Sequence, residues 1–277
     1  QPNIVKHIEI PAIQRDYAQG RDNPTANRII DSFLKAIISA LENDEPLHLD
    51  FIYGKEYQLG ESDQAEAELD GLKDIFSALN QYVETLGHKT TIDITKVLSE
   101  SAHNQKVLSY FIPLDGQQRL TTLFLLHWYL LYRIEESEAK FKTLARFTYK
   151  TRASSHDFIQ FICSEDTQET LRDLKESSAQ SSLENIAPIT KMNDLKKSTV
   201  SLARKIQFLP AFFSEWKYDP TVKGMLAVLN RLDEQLKDKP EEELKDFWER
   251  LTRSKDPVIY FDYLNLKDLD QTDELYV

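Results

Sequence analysis

The residues Asp115-Gly116-Gln117-Gln118-Arg119-Leu120-Thr121-Thr122 join an apolar, β-favouring run, Val107 to Leu114, to a strongly apolar helical run, Gln117 to Ile134. Strand, glycine turn and helix start, in that order, outline an anion site. Gly116 permits a close backbone turn, and the first turn of the helix offers unpaired N–H groups at the positive end of its dipole. Arg119 would add a forked, permanently charged donor to phosphate oxygens. Gln117 and Gln118 would act as neutral donors and Thr121 and Thr122 as hydroxyl donors. A carboxylate beside a phosphate is repulsive, so Asp115 would instead hold Mg²⁺, orient a water or accept from a ribose or base. The plainer reading of the same residues is that Asp115 caps the helix, Gln118 and Arg119 are solvated, and Leu120, Leu123, Phe124, Leu126 and Leu130 pack a core.

A second loop repeats the Gln-Arg pair. Ile4 to Ile10 alternates apolar with polar side chains and meets Pro11, and the loop that follows carries Gln14, Arg15, Asp16 and Tyr17. Two Gln-Arg pairs at strand ends would clamp one phosphate chain, with Tyr17 placed to stack on a base; otherwise Arg15 makes an exposed ion pair of little energetic weight. Other chemistries lack their residues. The seven glycines fall in neither the dinucleotide-binding nor the P-loop pattern, and the six histidines and single cysteine do not make a zinc site. A protein-only metal site would have to be built from carboxylates.

The elements around these loops follow from periodicity. Asn23 and Pro24 cap and open a helix over Thr25 to about Asn43, with Ile29, Ile30, Phe33, Leu34, Ile37, Ile38 and Leu41 at helical spacing. Leu49, Phe51 and Tyr53 alternate toward Gly54 as a strand, and an acidic helical insertion occupies about residues 61–103. From about 136 to 255 the chain reads as a helical subdomain. Its helices start at Ser154, with Asp157 completing a capping box, at Asp219-Pro220 and at Pro240. Val258 to Leu264 returns to strand alternation, and residues 256–277 bring strands back to the core formed by residues 1–135. The expected fold class is α+β and helix-rich, a small mixed-sheet core with an appended helical subdomain.

The 277 residues carry a net charge of −12, which argues against holding duplex DNA by bulk charge. The longest apolar run, Leu120 to Tyr132, falls short of the roughly 20 residues of a membrane span, so no membrane association is expected. A lone Cys163 and the lack of a charged-then-apolar leader fit a reducing, cytoplasmic compartment. Trp128, Tyr129 and Tyr132 read as core aromatics, Cys163 as a small buried hydrophobe and His127 as a packed or solvated helical histidine. Lys196, Lys197, Arg204 and Lys205 read as a solvated basic stripe. The apolar run at the last residues suggests a chain that continues into a larger protein.

Ile10-Pro11-x-x-Gln14-Arg15-Asp16-Tyr17, followed about a hundred residues later by Asp115-Gly116-Gln117-Gln118-Arg119-Leu120-Thr121-Thr122-Leu123, resembles the GmrSD-type restriction endonuclease N-terminal domain family. The second motif is highly specific and the first supports it. Phe51-x-Tyr53-Gly54 resembles the strand between them. Weaker likeness continues through Thr151-Arg152-Ala153-Ser154-Ser155 and Asp273-Glu274-Leu275-Tyr276-Val277, so the resemblance spans nearly the whole chain. It departs at Gln19, where many members have Trp, and in its longer acidic insertion.

The resemblance implies a ParB/sulfiredoxin-like nucleotide-binding core in an anti-phage defence protein. A nucleoside triphosphate of unspecified base, with Mg²⁺ near Asp115, would be bound by Gln14, Arg15, Tyr17, Gly116, Gln117, Gln118, Arg119, Thr121 and Thr122. Asp115, Gln118 and Arg119 would hydrolyse it. Hydrolysis would govern a DNA nuclease, directed at modified DNA, that lies in a domain or subunit beyond this chain; DNA is reached through the full-length protein or a partner. The alternative is a non-catalytic DNA-recognition or scaffolding module in which the Asp115-Gly116 turn only sets the strand-to-helix angle.

Overall fold

The computed structural model describes residues 3–11, 17, 21, 23–59, 106–135, 137–150, 152–180 and 200–266. Gln14, Arg15, Gln19, Lys196, Lys197, the acidic insertion and the last eleven residues lie outside them.

Five strands form one sheet: β1 (Asn3–Ile10), β2 (Leu47–Leu59), β3 (Lys106–Pro113), β4 (Phe147–Tyr149) and β5 (Ile259–Asn265), in the order β4-β1-β3-β2-β5. β1 pairs in parallel with β4 through Ile8↔Phe147 to Ile10↔Tyr149, and β2 pairs in parallel with β5 through Leu47↔Ile259 to Gly54↔Asn265. The chain divides into a larger unit, Ile8–Gly54 with Ile112–Leu266, and a smaller one, Gln1–His7, Lys55–Phe111 and Lys267–Val277. In the smaller unit the His7 and Tyr110 rings stack at 4.9 Å. Everything that follows belongs to the larger unit.

Its helices are α1 (Pro24–Asn43), α2 (Gln117–Arg133), α3 (Glu138–Leu144), α4 (Ala153–Cys163), α5 (Glu165–Gln180), α6 (Leu202–Gln207), α7 (Pro220–Leu236) and α8 (Glu241–Thr252), with a 3-10 turn at Ser214–Tyr218. α1 starts as its sequence demands. Asn23 accepts from the Ala26 N–H at 2.8 Å, Pro24 supplies the first turn, and Asp44 ends the helix in the left-handed region at φ 54°. α2 is apolar all round and is correspondingly enclosed: Leu125, Leu126, Trp128, Tyr129, Leu130 and Leu131 are fully buried, with α7 and α8 packed against the helix. At its far end Arg133 donates to the carbonyls of Leu236 and Lys237 at 3.0 and 2.9 Å, closing the C-terminus of α7.

The α+β, helix-rich expectation holds, and the strand at 258–264 does rejoin the sheet beside β2. Two local expectations change. Residues 147–149, read as part of a helical stretch, form the edge strand β4, because the short segment Phe147-Thr148-Tyr149 buries both rings while β1 supplies its hydrogen-bonding partner. The capping box at Ser154 does not form. α4 starts at Ala153 after Arg152, which gives no side-chain cap, so Ser154 lies inside the helix, and the hydroxyls of Ser154 and Ser155 donate to the charged Asp219.

Candidate functional site: the glycine turn at the start of the central helix

Gly116 is the N-cap of α2 with φ 83°, and a Cβ placed there would stand 2.7 Å from Ile52 Cγ1. The turn lies directly on β2 at this point, which only glycine allows. Its backbone is tied down as well: the N–H groups of Leu114 and Asp115 both donate to the Tyr53 carbonyl, at 2.8 and 3.3 Å. Gln117 is buried, and its side-chain amide donates to the Pro113 carbonyl at 2.8 Å, bridging the turn.

Arg119 is anchored by an irregularity in β2. Between His48 and Phe51 two residues of β2 oppose one of β5, and Asp50 takes φ 56°, so the ladder is broken there. The Arg119 guanidinium donates to the carbonyls on either side of the break, Leu49 and Phe51, the latter at 2.8 Å; its Nη2 also lies 3.5 Å from Asp115 Oδ2. Arg119 is therefore a pinned cation, neither the freely solvated side chain of the plainer reading nor an unengaged phosphate hook.

Thr121 and Thr122 face inward. The Thr121 hydroxyl donates to the Gln117 carbonyl at 2.9 Å, leaving its oxygen to accept from the Tyr149 hydroxyl, also at 2.9 Å. Thr122 repeats the arrangement, donating to Gln118 O at 3.0 Å and accepting from the Tyr17 hydroxyl at 2.7 Å. Tyr17 is 1% exposed, so its ring is enclosed rather than offered to a base. Burial pushes the phenols of Tyr17 and Tyr149 far up, which keeps them protonated as the donors that this pattern requires.

The polar network continues beyond the residues read from sequence. The Tyr17 N–H donates to Thr221 Oγ1 at 3.3 Å, and Arg152 donates to the same oxygen at 3.2 Å. Asp219 accepts from the N–H groups of Thr221 and Val222 at 2.6 and 3.1 Å as the N-cap of α7. Tyr149, Arg152 and Thr221 were given no role from sequence, and Ser154 was read only as a helix start. Asp219-Pro220 was legible as a helix start, but its second role, gathering the hydroxyls of α4, has no local signature.

The part of the turn that reaches solvent is Asp115, whose side chain is 56% exposed, together with the half-buried Gln118 and the first turn of α2. That turn has no side-chain cap and no acidic residue. Such a helix start favours a negative group, and the pinned Arg119 adds its positive charge at no ordering cost. Among the described residues no group of three or more His, Cys, Asp or Glu could hold a metal ion. Two other residues singled out, His127 and Cys163, are structural. His127 hydrogen-bonds the Leu123 carbonyl at 2.7 Å, and Cys163 is buried with its thiol pushed up by desolvation.

A five-stranded mixed sheet packed by helices, with a glycine turn locked between a strand and a central buried helix, defines a helix-rich α+β module. The chain belongs to the family of the GmrSD restriction endonuclease N-terminal domain, whose model matches residues 2–276. It is thus a module of a restriction and defence protein. It matches no curated protein and no solved structure. None of the described helices is long and apolar enough to cross a membrane.

Proposed function

We propose that the chain is the nucleotide-binding regulatory module of its restriction protein, with a nucleoside triphosphate seated at the N-terminus of α2. The observation that carries this reading is the first turn of α2. It lacks a side-chain cap and acidic residues, starts at a glycine, and is flanked by the pinned Arg119 and the exposed Asp115. Backbone N–H groups of the turn and Gln118 would receive phosphate oxygens, while Gln14 and Arg15 of the preceding loop would close on the same phosphates. Mg²⁺ bound by Asp115 and phosphate oxygens would supply charge neutralisation, the usual arrangement for an ion that keeps most of its waters. Asp115 and Gln118 would orient the attacking water, and Arg119 would hold the turn while lending its charge. The family's restriction role points to DNA as the final target and to a nuclease domain outside this chain.

A second reading has its own support. Gly116, Gln117, Arg119, Thr121 and Thr122 all have structural partners, as expected of a turn that only fixes the angle between β3 and α2 in a DNA-recognition or scaffolding module. Arg119→Ala does not separate the two, because it orphans strand carbonyls in either case. Thermal unfolding with ATP, GTP, CTP and UTP, with and without Mg²⁺, on the parent, Arg15→Ala, Asp115→Asn and Gln118→Ala does. A ligand at a hundred times its Kd stabilises by about 2.7 kcal/mol, a melting shift of roughly 5–10 °C. A shift that shrinks in these variants supports the proposal, and phosphate release then tests hydrolysis. No shift with any nucleotide, in a chain that melts cooperatively, overturns it.

A further inference from the structure

Away from the glycine turn, a groove of about 820 Å³ opens between α4 and the 3-10 turn Ser214–Tyr218. Its floor is aromatic: the buried rings of Phe161 and Trp216 lie 5.3 Å apart, and Phe213, 5.8 Å from Trp216, stands 64% exposed. Among the described residues its lining includes Asp157, Glu215 and Asp219 and no Lys, Arg or His. Asp219 is fully occupied as the cap of α7 and the acceptor for Ser154 and Ser155. Asp157 and Glu215, both exposed, make no hydrogen bond or ion pair among the described residues.

An exposed aromatic side chain at a groove of this size, rimmed by two uncommitted carboxylates, is a recognition surface with a sign. Nucleic acid is the wrong partner, since its phosphates would meet carboxylates with no cation among the described lining residues. A segment that carries both kinds of side chain gains twice: a cation from the carboxylates, and an apolar group from the aromatic rings. The volume accommodates several side chains of an extended segment, and the net charge of −12 steers a basic partner toward the chain. We propose that the groove is a docking site for a cationic peptide segment of a partner protein. That segment lays an apolar side chain against Phe213 and Trp216 and sets Lys or Arg against Asp157 and Glu215.

The test is a random peptide library panned on the chain, with the Phe213→Ala/Asp157→Asn/Glu215→Gln triple variant as counter-selection. All three side chains are exposed, so the variant keeps its core, and a melting curve like the parent's checks this. The proposal expects enriched peptides that combine Lys or Arg with a large apolar residue. Titrated calorimetrically, these should lose about tenfold in affinity with each single variant, as at interface anchors. No enrichment over the counter-selection, enrichment of acidic or uncharged sequences, or binding indifferent to the three substitutions would overturn it. So would binding of a single-stranded oligonucleotide that Phe213→Ala abolishes, or a concentration-dependent dimer that the triple variant disrupts, which would give the groove to a second copy of the chain.

Discussion

Gly116 meets two demands at once, a left-handed backbone and a surface without a Cβ. Its φ of 83° would cost an L-residue about 1–2 kcal/mol, and the added methyl would press on Ile52 Cγ1 at 2.7 Å. Gly116→Ala should therefore destabilise the chain by about 2–3 kcal/mol in urea unfolding with an unchanged m-value. His127 carries a prediction of the opposite kind, set by protonation. It bonds the Leu123 carbonyl and meets the Trp248 ring edge-on at 5.7 Å, and burial lowers its pKa from 6.5. The unfolded chain then binds the proton more readily than the folded one, so stability is complete above the unfolded value and falls as pH drops through 6.5 toward the lower folded value. His127→Gln should flatten the pH dependence of the urea midpoint over that window. A slope identical to the parent's would show that other groups set it.

At the scale of elements, Asp219 joins α4 to α7. One carboxylate oxygen caps α7 through Thr221 and Val222, while the other takes the hydroxyls of Ser154 and Ser155. Asp219→Ala removes a cap and leaves partly buried donors unpaired, a loss of about 2–3 kcal/mol by denaturant unfolding. Asp219→Asn, which keeps a cap oxygen, should lose about 1 kcal/mol. Thr221 ties the same corner to the glycine turn, because it accepts from the Tyr17 N–H while the Tyr17 hydroxyl donates to Thr122 in the first turns of α2. A single chain of hydrogen bonds thus connects the starts of α2 and α7, and Asp219 extends it to α4.

Over the whole molecule the net charge of −12 is the dominant long-range term, and it opposes compaction through self-repulsion. Raising NaCl from about 0.02 M to about 0.3 M shortens the screening length severalfold and should raise the melting temperature by a few degrees. A melting temperature independent of salt would mean that local ion pairs such as Arg253–Asp44 and Arg231–Asp31 already balance the field.

Features that depend on local spacing and on one-residue rules were readable from the order of the amino acids. The Asn23-Pro24 and Asp219-Pro220 helix starts, the apolar periodicity of α1 and α2, the strand–glycine–helix order at residues 107–134 and the return of a strand near residue 258 were all legible. Each rests on neighbours within about a turn of helix or a strand's length. Where the side chains of the motif are committed depends instead on contacts between distant parts of the chain. Arg119 is bound by a bulge nearly seventy residues earlier in sequence, at Leu49 and Phe51, and Tyr17 is enclosed against Thr122 and Thr221, positions joined by nothing local. Ser154 was read as capping its own helix, but α4 starts before it, and its hydroxyl donates to the charged Asp219, brought within reach by the packing of α7 on α4.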